Sequence, residues 1–480
     1  MRRPRPATWN LVILFAITAL VGVWVRAWQL HGHAAAGWND TQDYFTSSKS
    51  PWFSLDLWAG PRTPAIPVLF KLTGGDGQNA VALQAVIGAL CWAALATAVA
   101  AALPAGWRRR TAAALVIGVS LTERTTMWDQ SLLSESLALA FLALVVAAAL
   151  HLGRRVTPGR AAALVGASLL WVAVRDAPAV ALLAGAAALV VVVAAARPHP
   201  RHRAEVLAVT GAGLVIVAAL TMAAAHRGER DQQPLEHVFA VRVLPYPDRV
   251  DWFGDHGMPM AEEIAALGPA SYPVPTGPPV KGVPTVEDDP AFAPWHRWVG
   301  SSGQRTFLRW LATHPGYVLA EPQKNPERAY NNAEGDLDFY RPVDFRSVPL
   351  IGVLSLGTAW LIPLGLLVVA VLIWFAKLWS PLVLVGVTVA LTSVPHGVMA
   401  WHSDGMETAR HLVVPGMQMR LAVVLLVAAL LTERSQGLPV TGAMGTVAEN
   451  ALAPIDEVDS VDDGDQNSFS RREVLDTTEA

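Results

Sequence analysis

The chain has 480 residues, 53% of them hydrophobic and only 16% charged, with a formal net charge of -3. Long Ala/Val/Leu runs exceed what a water-soluble core needs, which excludes an ordinary soluble domain and points to an integral membrane protein. Lys and Arg are segregated along the chain, so local charges matter more than the net value; no nucleic-acid partner is expected, and the single cysteine, Cys91, excludes an intrachain disulfide.

At roughly 20 apolar residues per spanning helix, the predicted spans are 9–28, 78–103, 111–127, 132–152, 159–175, 177–196, 204–225, 349–376, 380–398 and 408–432, about ten in all. Every second connection is basic: Arg2 to Arg5, Arg108 to Arg110, Arg154 with Arg155 and Arg160, Arg197 with Arg201 and Arg203, Lys377, and Arg434. All six clusters then fall on one side, which predicts a multi-pass protein of the cell membrane with both termini cytoplasmic. The start MRRPRP and Ala34-Ala35-Ala36 imitate a cleaved signal peptide, but the apolar stretch is longer than the roughly 7 to 15 residues of a signal's central region.

The first outer loop, about 29–77, begins "AAAGWNDTQDYFTSS". On a helix, Asp43 and Tyr44 share a face with Asp40. A carboxylate at the apolar boundary is partly desolvated, which suits a proton acceptor; the structural alternative is that Asp40 caps a short interfacial helix and Asp43 is merely solvated. Trp52, Phe53, Leu55, Leu57 and Trp58 then suit a helix lying in the headgroup layer. Arg62, set between Pro61 and Pro64, offers a guanidinium for a phosphate, or a simple interfacial anchor.

Further along, "LTERTTMWDQSLLSESLALAFLAL" places Glu123, Arg124, Asp129 and Glu135 near the outer ends of two spans. Asp129 or Ser131 fits a helix cap and Glu135 a first turn, yet ionisable groups near a membrane are costly and usually functional. Arg175 and Asp176 sit at the join of two spans, where mutual neutralisation is one reading. The polar region 226–348 is rich in Pro, Gly and Trp, and is expected to form a loop-rich extracytoplasmic domain with short helices near 259–267 and 303–313.

In the last outer loop, "PHGVMAWHSDGMETARHLVVPG", the residues Glu407, Arg410 and His411 would share one helical face. The set His402, Asp404 and His411 has no recognised metal-ligand spacing, so no metal and no cofactor is expected. Residues 433–480 are acidic, poor in large apolar side chains, and expected to form a disordered cytoplasmic tail. The chain also lacks a phosphate-binding G-x-x-x-x-G-K-[ST] loop and a G-x-S-x-G elbow.

The order "ND-TQD-YF" after the first span, "AGPRTPAIPVLFKL" before the second, "SLLSESLALAFLAL", an Arg ending a short span and "ETARHLVVPG" at the last resembles the GT-C superfamily of multi-spanning glycosyltransferases. The nearest members in character are the protein mannosyltransferases and the lipopolysaccharide-core transferases. The likeness covers residues 1 to about 225 and 349–432. It implies an all-α polytopic fold of the GT-C type, an N-terminal membrane module 1–225, an inserted domain 226–348 and a C-terminal module 349–432 with the last three helices. It further implies transfer of a sugar from a polyprenyl-phosphate-linked donor to a cell-envelope acceptor at the extracytoplasmic face. By position in D-x-x-x-Y, the resemblance makes Asp40 the catalytic base and Asp43 its reserve, where protein mannosyltransferases have an adjacent Asp-Glu pair. Arg175 and Arg410 would steady the departing phosphate and Glu135 would shape the donor cavity. Taken with Arg62 and His411 as phosphate-binding groups and Tyr44, Arg124 and Glu407 as cavity residues, this completes the expected site. A flippase for a lipid-linked glycan would use the same arginines without a base, and a silent scaffold would leave the outer domain as the working part.

Overall fold

The computed structural model describes residues 6–195, 201–230, 232–261, 263, 290–324, 340–342, 345–348, 358–374, 380–405 and 407–432. Helix α1 (Pro6–Leu30) exposes Trp9, Ile13, Ile17, Leu20 and Trp24 while burying Thr18, Arg26 and Gln29. An apolar face outward and polar groups inward reverses the pattern of a water-soluble helix and suits a lipid surround.

Three short helices follow: α2 (Asn39–Ser48), α3 (Leu55–Ala59) and α4 (Ala65–Leu72). After them come α5 (Gly77–Ala101), α6 (Trp107–Ser120), α7 (Glu123–Thr126), α8 (Glu135–Arg154), α9 (Pro158–Val172), α10 (Pro178–Ala195) and α11 (Arg201–Arg227). The region 226–348 holds α12 (Gln232–Val238), α13 (Pro247–Asp255), α14 (Ala293–Trp298), α15 (Gln304–Thr313) and α16 (Pro315–Lys324). The last group is α17 (Thr358–Trp374), α18 (Pro381–His402), α19 (Thr408–His411) and α20 (Val413–Leu430).

Six segments are long and apolar enough to cross a membrane: Trp9–Leu30, Gly77–Ala101, Glu135–Arg154, Arg201–Arg227, Pro381–His402 and Thr408–Leu430. Pro158–Val172 and Pro178–Val191 are apolar but shorter. The protein is therefore all-α and of membrane type, with six rather than ten helices meeting the length criterion among the described residues. The expected span 111–127 is cut short. Its helix α6 has 14 residues, about 21 Å against a hydrocarbon layer of about 30 Å. The chain then turns at Leu121 into α7 and a 3-10 turn, Met127–Gln130, where Thr122, Thr125, Thr126, Asp129 and Gln130 are buried.

Among the described residues no strand forms, and the one isolated bridge pairs Ala36 with Ser131. It matters for the site, because the Ala36 amide donates to the Gln130 carbonyl and the Leu132 amide to the Ala36 carbonyl, both at 2.9 Å. These bonds tie the start of the first loop to the entrance of α8.

A single core cluster takes side chains from α4, α5, α6, α8, α10, α18 and α20. The region 226–348 has a core of its own built on Phe239, Phe253, Trp295, Trp298, Phe307 and Trp310, with Phe239 and Phe253 meeting edge to face at 5.0 Å. Helix α15 falls on the expected 303–313, whereas 264–267 lies outside the described residues. Two glycines allow close approaches: a Cβ at Gly228 would overlap the Gly60 carbonyl, and one at Gly405 the His237 carbonyl. The expected disordered tail, 433–480, lies outside the described residues.

Candidate functional site

Helix α2 starts where Trp38 is extended and its amide donates to the Thr41 hydroxyl at 2.9 Å. The Thr41 hydroxyl in turn donates to the Leu132 carbonyl at 3.1 Å. With the helix start thus served by Thr41, the Asp40 side chain in the first turn is available to neighbours. It takes two. Arg62 Nη2 lies 3.0 Å from Asp40 Oδ1, and Arg410 Nη2 lies 2.9 Å from Oδ2. Arg62 Nη2 also binds Asp43, whose carboxylate is more exposed.

Arg62 is held by its flanks. The Thr63 hydroxyl donates to the Val174 carbonyl at 2.7 Å, and the Ala65 amide to the Ala173 carbonyl at 3.0 Å. The proline-bounded loop is thereby fastened to the end of α9, next to Arg175. Tyr44 is buried beneath, with the Arg62 guanidinium 5.6 Å from its ring centre.

Arg410 is the hub. Its Nε donates to Glu135 Oε1 at 2.6 Å, Nη1 to Glu407 Oε2 at 2.7 Å and Nη2 to Asp40. Arg175 Nη1 meets the same Glu135 Oε1 at 2.9 Å. Glu135 is fully buried, and its Oε2 has no hydrogen-bond partner among the described residues. The arrangement brings together Asp40, Asp43, Tyr44, Arg62, Glu135, Arg175, Glu407 and Arg410 of the expected set.

Burial pushes the Asp40 carboxyl upward, but the guanidinium charges of Arg410 and Arg62 outweigh it and hold the group below its ordinary range. Desolvation, with the Asp40 charge adding to it, raises the Tyr44 phenol instead, so Tyr44 stays neutral.

Among the described residues, no ion pair joins the other two expected residues, His411 and Arg124, to Asp40. His411 Nε2 is 3.4 Å from Asp404 and 4.0 Å from Glu407. Arg124 is half-buried on α7. Two structural alternatives are corrected. Arg175 and Asp176 do not neutralise each other: Asp176 receives Arg230 Nε at 2.8 Å and Nη2 at 2.9 Å, and Arg230 also donates to the Gly60 carbonyl at 2.6 Å. Asp129 accepts Arg26 Nε at 2.8 Å and the Ser136 hydroxyl at 2.6 Å rather than capping α8.

The histidine-containing set also changes membership on folding. His402 Nε2 faces the Val318 carbonyl at 3.2 Å, and Glu407 takes its place, so that ligand atoms of Asp404, Glu407 and His411 lie within 4.8 Å of one another. A divalent cation could use this geometry. Glu407, however, already receives Arg410 and the Tyr340 hydroxyl, which satisfies its charge, and no metal is assigned.

Sequence reasoning missed Tyr340, whose ring packs on Trp38 and Trp128 at 5.3 and 5.9 Å while its hydroxyl binds Glu407. It also missed Arg26 and Gln84, polar residues inside apolar runs, where their presence was itself a signal. Gln84 Nε2 donates to the Asp129 and Ser131 carbonyls at 2.7 and 2.8 Å, shaping the turn that leads to Glu135.

Compared with known proteins, the chain matches no protein-family model and no curated protein.

Proposed function

We propose that this protein is a membrane glycosyltransferase of the GT-C type that moves a sugar from a polyprenyl-phosphate donor to a cell-envelope glycan, lipid or protein acceptor. In this reading some ten helices span the cell membrane, both termini are cytoplasmic, and the site opens to the extracytoplasmic side. The observation that carries it is the contact of the Asp40 carboxylate with two guanidiniums, Arg62 and Arg410, donated from segments far apart in the chain. A base and an anion clamp side by side are what sugar transfer from a lipid phosphate requires.

Asp40 accepts the proton of an acceptor hydroxyl as that oxygen bonds to the anomeric carbon. The bond from that carbon to the phosphate oxygen breaks at the same time, and its electron pair leaves on the lipid phosphate. Arg410 and Arg62, oriented beforehand by Glu135, Glu407 and Asp43, stabilise the charge that develops there. Attack opposite the leaving group inverts the anomeric centre. The flippase alternative needs the arginines but no base, so one experiment divides the two. Purified protein should transfer labelled sugar from a synthetic polyprenyl-phosphate donor, and Asp40→Asn should lower the rate by about 100-fold or more, the usual contribution of a positioned base. Undiminished transfer in that variant removes Asp40 as the base; donor binding without any transfer by the wild type favours the flippase.

A further inference from the structure

Asp40 is bound as a ligand would be. One carboxylate oxygen sits 3.0 Å from Arg62 and the other 2.9 Å from Arg410. A phosphodiester offers the same features, two unesterified oxygens sharing one negative charge, and guanidinium is its favoured partner.

The charges around the clamp restrict how a phosphate can enter. Four carboxylates, Asp40, Asp43, Glu135 and Glu407, surround three guanidiniums, Arg62, Arg175 and Arg410. A further anion added to this largely buried set would stand uncompensated, which is expensive. Exchange of one anion for another leaves the balance unchanged. Among the four acids, Glu135 is fully buried between Arg175 and Arg410, and Glu407 is held by Tyr340 as well as Arg410. Asp43 is the most exposed of the four and, among the described residues, pairs with Arg62 alone. Asp40 alone stands between both outer arginines, and its carboxylate keeps 21% of its exposure, which gives it a route out.

We infer that the Asp40 carboxylate and the donor's phosphate compete for one seat between Arg62 and Arg410, so that donor binding itself displaces Asp40 and presents a free carboxylate beside the sugar. The role of the freed carboxylate rests on the sugar-transfer reading above; the competition is a binding property. A carboxylate locked on two guanidiniums is a weak proton acceptor, and one released from them regains its basicity. The base is thus armed only when a donor is present.

The test is equilibrium binding of a short-chain polyprenyl monophosphate to the full-length protein in detergent. Asp40→Asn and Asp40→Ala remove the competitor and should each bind about tenfold tighter than wild type, equivalent to about 1.4 kcal/mol. Asp56→Asn, which removes an exposed charge of α3 outside the cluster, should change affinity by no more than about threefold. Wild-type binding with no gain in either Asp40 variant overturns the competition and leaves the donor assignment standing. Absence of binding to every form, wild type included, overturns the donor assignment and the inference with it. Failure of both Asp40 variants to fold makes Asp40 a fixed pin of the arginines and also overturns the inference.

Discussion

Replacing Arg410 by lysine keeps the positive charge and removes the fork. In the native site three nitrogens address three carboxylates: Glu135 at 2.6 Å, Glu407 at 2.7 Å and Asp40 at 2.9 Å. A lysine ammonium is a point charge on a flexible stem. It would satisfy the fully buried Glu135 first and forfeit the other two bonds, each worth about 1.5–3 kcal/mol for charged groups. Because the Asp40 and Glu407 carboxylates retain 21% and 34% exposure, solvent screening reduces the joint loss to about 2–4 kcal/mol. The catalytic effect follows from the same geometry. A clamp that no longer reaches Asp40 no longer reaches the phosphate that takes its seat, and loss of one preorganised donor costs about 100- to 1000-fold in kcat. The assay is single-turnover transfer of labelled sugar by purified Arg410→Lys, with thermal unfolding run in parallel. A kcat within about threefold of wild type would refute the argument from the fork, since charge alone would then suffice.

The remaining predictions concern stability. Arg26 and Asp129 are 2.8 Å apart and nearly inaccessible, so Asp129→Leu alone should destabilise the protein by about 3–5 kcal/mol. Adding Arg26→Met should recover much of that loss, and strictly additive melting shifts would refute the coupling. Asp40, held below its ordinary value of 3.8, binds fewer protons when folded than when unfolded in this range. Its contribution to stability is therefore complete above that value and is lost as pH falls through the lower folded-state pKa. Melting temperature should accordingly fall more steeply below about pH 4 in wild type than in Asp40→Asn, and equal slopes would contradict the pairing.

Helices were easier to read from the sequence than their lengths. The expected 204–225 corresponds to Arg201–Arg227 and 132–152 to Glu135–Arg154, because long apolar runs leave few alternatives. The expected 111–127 instead ends at Ser120. Averaged hydropathy did not register that Ser120, Thr122, Thr125 and Thr126 form a polar turn inside the fold. At the site, Asp40 and Arg410 were each legible from local features, but their bond joins residues 370 positions apart, which no local pattern encodes. Adjacency was misleading in the opposite way. Arg175 and Asp176 are neighbours in sequence, yet beyond the end of α9 their side chains diverge, one to Glu135 and the other to Arg230. Arg26 escaped notice because its partner Asp129 lies 103 residues away and the run around it is apolar.

Helix length and site position have a common logic on the proposed reading. Helix α9 has 15 residues, about 22 Å, and so falls about 8 Å short of the hydrocarbon thickness. Arg175 follows three residues after its end, and the Arg62 loop is bonded to the Ala173 and Val174 carbonyls in between. A helix that stops early leaves a gap at its outer end, which polar groups can occupy only if they neutralise one another. The cluster of arginines and carboxylates meets that condition. Beside it, Trp52, Phe53, Leu55 and Trp58 are exposed, with Phe53 wholly uncovered. Such residues favour the interfacial layer over water. A phosphate carried on a lipid chain would then reach the clamp from the bilayer side, while an acceptor hydroxyl approaches Asp40 from the aqueous side. The short helix thus permits a charged pocket at a depth where a polyprenyl carrier need not leave the membrane.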